Sequence, residues 1–133
     1  MSLTVAPDLL QKAEAGDVTD AEFAQCVRES LPYAYDLVAG LAAQLGDQNP
    51  QDRIFADNRT EPPSEQHRAQ LLRAMASDAI RGVLGRHFAV RIAFQNCHRV
   101  AVFAAGADAD GALARFTSVP AQLLNQSPDL VNC

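Results

Sequence analysis

The sequence has no closely spaced cysteine pair. Its three cysteines, Cys26, Cys97 and Cys133, are odd in number and far apart. That pattern points to free thiols in a reducing compartment, not to a disulfide framework. Neither CxxC nor HExxH occurs, so the compact spacings that make a metal site recognisable are missing. Asp108-Ala109-Asp110-Gly111 opens like a calcium loop, but the later oxygen ligands and the closing glutamate are absent. No apolar run reaches the roughly 20 residues that span a bilayer. The most apolar stretch, Leu31 to Leu45, carries Asp36. The start, MSLTVAPDLLQK, lacks a basic segment followed by an apolar one, so no signal peptide is expected. A basic excess is missing too: 11 Lys and Arg stand against 16 Asp and Glu, for a net charge of −5. This argues against nucleic acid as a partner held by bulk charge. These absences predict a cytoplasmic protein without membrane contact, with no cofactor and no metal.

What is present is an ordinary globular composition. The chain has 133 residues, 48% hydrophobic and 20% charged, which predicts one domain over 1–133. Pro7 to Gly16 reads as a short helix, with proline in its first turn and glycine just past its end. Thr19-Asp20-Ala21-Glu22 is a capping box. The helix it starts carries Val27, Leu31, Ala34, Val38, Leu41 and Leu45, a one-sided stripe that ends at Gly46. Pro32 interrupts it. Because the stripe stays in phase, a kinked helix or two abutting helices are expected, the second capped by Ser30. Residues 46–63 form a long polar loop without a regular period, pinned by Ile54 and Phe55. Ser64 caps a third long helix that carries Leu71, Leu72, Met75, Ala76, Ala79, Ile80 and Val83 and ends near Gly85.

The apolar period then changes from 3.6 to 2. Phe88, Val90, Ile92 and Phe94 alternate with Ala89, Arg91 and Ala93, and Val100 and Val102 follow a corner at Asn96-Cys97. This is a β-hairpin with one buried face. Only a loop of odd length sets the valines opposite Val90, Ile92 and Phe94, because a slip of one residue flips a strand. Two short helices are predicted over Asp110 to Phe116 and Pro120 to Gln126, the second capped by Ser118. Residues 127–133 form a loosely held tail. The fold class is α+β, mainly helical, with one antiparallel hairpin in the C-terminal half. A lone hairpin is marginal and its second strand has no guarding charge, so it packs on the helices or pairs across a homodimer.

Three groups of residues bear on function. Cys97 and His98 place a thiol beside an imidazole, but adjacent strand residues face opposite ways and no acid lies between Asp78 and Asp108 to orient the base. An ordinary turn with asparagine at its tip competes with catalysis there. Arg73, Ser77 and Arg81 share one face of a continuous helix, and Arg91 and Arg99 flank the hairpin; guanidinium groups so placed suit a carboxylate, phosphate or acidic peptide. A solvated helix face explains the same pattern. Tyr33 and Tyr35 cannot both lie on one helix face, so one is exposed, towards a pocket where the Pro32 kink leaves backbone groups unpaired.

The strings VRESLPYAYDL, LLRAMASDAIRGVLGRHFAVRIAFQNCHRVAVF and ARFTSVPAQLLNQSP resemble a family of small proteins of Streptomyces and related actinobacteria whose function is unknown. The resemblance implies an actinobacterial, cytoplasmic protein and carries over no catalytic residue. In size and setting the chain is also similar to the small proteins of cinnamycin- and duramycin-type lanthipeptide clusters that form a lysinoalanine cross-link. The expectation is a homodimeric binding protein for a peptide or small anionic ligand, with Arg73, Arg81, Arg91, Arg99, Tyr33 and Tyr35 as binding residues. The alternatives are a peptide-modifying enzyme that works by orienting its substrate and an enzyme built on Cys97 and His98.

Overall fold

The computed structural model describes residues 2–49, 51, 54–58, 60–95 and 98–124. Helix α1 covers Pro7–Ala15 and stops at Gly16, whose φ of 75° only glycine adopts without strain. Helix α2 (Asp20–Ser30) starts at the capping box: the Thr19 hydroxyl accepts from the Glu22 N–H, and Glu22 accepts from the Thr19 N–H. Helix α3 (Pro32–Asp47) follows after one non-helical residue, Leu31, with φ −130° and ψ 61°. A residue before proline avoids the helical region, and Pro32 sits where its missing N–H costs nothing. The six stripe residues from Val27 to Leu45 are all buried. Ser30 does not cap α3. Its hydroxyl accepts from the Thr4 N–H, and Gln70 Oε1 caps the start of α3 by accepting from the Tyr33 N–H at 2.8 Å. The break at Pro32 is therefore not a source of free backbone groups at Tyr33.

The loop holds a strand that its composition hides, β1 (Phe55–Asp57). The third long helix is two: α4 (Glu65–Met75), capped by Ser64, and α5 (Asp78–Phe88). Ser77 lies between them in an extended conformation, and its hydroxyl accepts from the Ile80 N–H. A serine followed by an acid is a helix start, and here it outweighs continuation. The break re-phases the stripe. Leu71, Ala74 and Met75 are buried on α4, and Ile80, Val83 and Leu84 on α5, while Leu72, Ala76 and Ala79 are exposed. Gly85 does not end α5. The end is Ala89, left-handed at φ 54° and ψ 45°.

Strands β2 (Val90–Gln95) and β3 (Arg99–Ala104) form the hairpin. Phe94 pairs with Val100, Ile92 with Val102 and Gln95 with Arg99, so the loop has the expected odd length, three residues at 96–98. Strand β1 pairs with the other side of β3, and the sheet order is β1-β3-β2, all antiparallel. Strand β3 is thus a central strand, and its unguarded edge is covered from within the chain. That removes the open-edge reason for expecting a homodimer there. A 3₁₀ turn (Ala107–Ala109), α6 (Asp110–Phe116) and α7 (Val119–Leu124) complete the described chain. The Ser118 hydroxyl accepts from the Ala121 N–H, as expected of a cap.

Both faces of the sheet are buried, not one. Val100 and Val102 enter the main core with Leu31, Val38 and Met75. On the opposite face Phe103 packs with Ala93, Ala112 and Phe116, against the turn and α6. Its ring stacks on Phe55 at 5.4 Å and meets Phe116 edge-on at 5.6 Å. Ile54 joins this cluster, so Ile54 and Phe55 do pin the loop.

Asn58 extends the pairing of β1 with its side chain. Its Oδ1 accepts from the Val100 N–H at 2.7 Å, and its Nδ2 donates to the His98 carbonyl at 2.7 Å. Replacing Asn58 with alanine leaves both buried groups unpaired and should lower unfolding free energy by about 2–4 kcal/mol in urea titrations. In the other direction, Ala89→Gly relieves the left-handed backbone and should raise it by about 1 kcal/mol with an unchanged m-value.

Candidate ligand groove

Residues 78, 81, 82, 85 and 86 of α5 form the face opposite Ile80, Val83 and Leu84, and Ala89 follows just past the helix end. That face, with Val90, Arg91 and Ile92 of β2, lines a groove of about 560 Å³. Two glycines make it possible. Gly82 leaves the helix surface low, and at Gly85 a Cβ would lie only 2.9 Å from the Val90 carbonyl oxygen. The groove is therefore closed at Gly85, where helix and strand meet.

The wall formed by β2 is an open sheet edge. Val100 exchanges hydrogen bonds with Asn58, and the Ala104 N–H donates to the Ile54 carbonyl, so the even-numbered residues of β3 turn their backbone towards β1. Their partners Val90, Ile92 and Phe94 must then be the non-hydrogen-bonded pairs of the β2–β3 ladder. Their N–H and C=O groups point outwards. Among the described residues, none of these groups on Ile92 or Phe94 has a hydrogen-bond partner.

Three arginines border the groove, each tied to a carboxylate. Arg81 pairs with Asp78. Arg86 takes Asp20 in a two-pronged contact at 2.6 and 3.1 Å. Arg91 reaches Asp110 at 2.6 Å and also donates to the Ala104 and Gly106 carbonyls, which makes it a brace for the chain after β3. Pairs made with exposed aspartates such as Asp78, Asp20 and Asp110 contribute little to stability. The Asp20 carboxyl is held below its ordinary value by the Arg86 hydrogen bond, so it stays charged.

Of the residues singled out from sequence, the groove unites only Arg81 and Arg91. Arg73 lies on α4, out of phase with Arg81 because of the break at Ser77, and makes no hydrogen bond or ion pair among the described residues. Arg99 bonds Asp57 at 2.7 and 2.9 Å and Gln95 at 3.2 Å and lies over the Phe116 ring, a structural clasp on the far face. Tyr33 is half-buried, edge-on to His67, and lines a separate cavity of about 590 Å³ with Leu37, Asn58 and Glu61. Tyr35 is buried, its hydroxyl 3.1 Å from His87 Nε2. Sequence reasoning missed Arg86, Gly82 and Gly85 as partners on one face. Carrying the helix past Gly85 to Phe88 would have joined Arg86 to Arg81.

Cys97 lies outside the described residues. His98 is 2% exposed, and its Nδ1 is buried without a partner. Burial pushes the imidazole below its ordinary value of 6.5; Glu61 opposes this, and Arg68 and Arg99 reinforce it. His98 is thus buried and offers no accessible base. Among the described residues no group of three or more metal-binding side chains exists, and no helix is long and apolar enough to cross a membrane. Because the folded protein resists protonating His98, that contribution to stability is complete above pH 6.5 and lost as pH falls from there through the lower folded value. Urea titrations between pH 7.5 and 5.5 should show a decline that is smaller in His98→Gln.

No curated protein and no solved structure matches the chain. A family model with a short name beginning KH and the description "NucS shadow ORF" matches residues 1–133. With the whole length covered, the chain belongs to the NucS shadow ORF family.

Proposed function

We propose that this protein works by binding, and that the groove between α5 and β2 takes an extended anionic chain. One observation carries the reading: a strand edge whose outward backbone groups have no partner among the described residues lies beside Arg81 and Arg86, whose present partners are exposed aspartates. An extended ligand can satisfy the edge while its acidic groups replace Asp78 and Asp20 on the two guanidiniums. A reaction has less support, because among the described residues that line the groove there is no nucleophile with a base in reach.

A second reading follows from the family's short name. KH also names a module that holds single-stranded nucleic acid, with a glycine-x-x-glycine loop clamping the nucleotide backbone. The one such string in this chain is Gly82-Val83-Leu84-Gly85. It lies inside α5 with Val83 and Leu84 buried, so its N–H groups serve the helix and cannot grip phosphate. Nucleic acid therefore ranks second.

Fluorescence anisotropy with labelled polyglutamate and labelled oligothymidylate tests the groove. At least one should bind at low salt, and Arg81→Ala/Arg86→Ala should weaken it by about tenfold or more while circular dichroism stays unchanged. Absence of binding by both polymers would overturn the reading.

A further inference from the structure

We infer a second binding site, independent of the groove: the crevice between α1 and α2 takes an aliphatic ammonium ion. The two helices run antiparallel and are pinned at both ends. At one end the Thr4 N–H donates to the Ser30 hydroxyl at 2.9 Å, and the Cys26 thiol donates to the Thr4 carbonyl at 3.5 Å. At the other end Lys12 pairs with Glu22 at 2.6 Å. Glu22 and Ser30 are eight helical residues apart, about 12 Å along α2. Between the pins the helices do not close on each other, and a cavity of about 410 Å³ remains.

The sequence sets this gap. Helix α2 turns Ala24 and Val27 into the core. Its opposite face carries residues 21, 25 and 29, which line up along the helix at four-residue steps. Ala21 offers only a methyl group, and the Gln25 amide donates to Glu29 at 2.9 Å, along α2 and not across to α1. Helix α1 contributes Ala6, from its cap, and Leu9 to the other wall. No residue of α1 is buried, so this wall has little packing of its own. A helix of nine residues is marginal without packing, and it can yield to admit a ligand.

Charge selects the head group. Asp8, Glu22 and Glu29 line the cavity, with Lys12 as the one cation among the described lining residues, and Lys12 is taken by Glu22. Asp8 makes no hydrogen bond or ion pair among the described residues, and Glu29 has only the Gln25 amide. Arg28 of the same helix lies over the Tyr35 ring instead. Two carboxylates beside an apolar crevice therefore lack a cation. An ammonium group supplies one, while its alkyl chain covers Ala6, Leu9 and Ala21. A fatty carboxylate would add another negative charge to the same place.

Calorimetric titration of the whole protein with octylammonium, octanoate and octanol at low salt tests the site. Octylammonium should bind about tenfold more tightly than either of the others. In Asp8→Asn/Glu29→Gln, octylammonium and octanol should come within about twofold of each other. Ala21→Trp, which fills the cavity, should abolish octylammonium binding while circular dichroism stays unchanged. Bound octylammonium should also slow alkylation of Cys26 by iodoacetamide, followed by mass spectrometry of the Cys26 peptide. Arg81→Ala/Arg86→Ala should change none of these results, so crevice and groove stand or fall separately. The inference is overturned by absence of octylammonium binding, by equal binding of octanoate or octanol, by binding that survives Ala21→Trp, or by alkylation that does not slow.

Discussion

Strand β3 has neither a free edge nor a free face, and the remainder of the fold is arranged to keep it so. Val100 and Val102 need the α2–α5 layer, Phe103 needs α6 and Phe55, and the backbone needs β1 on one side and β2 on the other. Asn58 supplies the end of this pairing when the regular strand β1 has already stopped. A strand with valine on one face and phenylalanine on the other is stable only inside two layers. With β3 central in the order β1-β3-β2, β2 is an outer strand.

The groove is a consequence of that placement. Helix α5 runs into β2 through a single left-handed residue, Ala89, so helix and strand leave one corner and diverge. Gly85 lets them meet closely at the corner. The face of α5 that is not used by the core then lies beside the unused edge of β2. Arg81 and Arg86 thus border a groove beside backbone groups that have no partner among the described residues, and this combination, not any single residue, makes the candidate site.

Much of this was legible along the chain. Proline and capping signals marked α1, α2 and α3, the alternation of Val90, Ile92 and Phe94 with Val100 and Val102 set the hairpin register, and Ser118 marked α7. These signals are local: a cap, a period or a turn is complete within a few residues. The strand β1 was not legible, because three residues in a polar loop show no period and become a strand only when β3 offers its edge. The break at Ser77 was masked by apolar residues that continue a helical period on both sides. That break misplaced Arg73, and ending the helix at Gly85 hid Arg86.

By itself the sequence determined the α+β class, the phase of the long helical stripe through Pro32 and the odd hairpin loop, because each depends on neighbours a few residues away. Only the tertiary structure decided that β3 is central, that both sheet faces are buried and that Arg81 and Arg86 border an open edge. Those facts depend on which distant segments share a strand. Asp57 meets Ala101, Asp20 meets Arg86, and Asn58 meets Val100, and no pattern within a single segment specifies such a meeting.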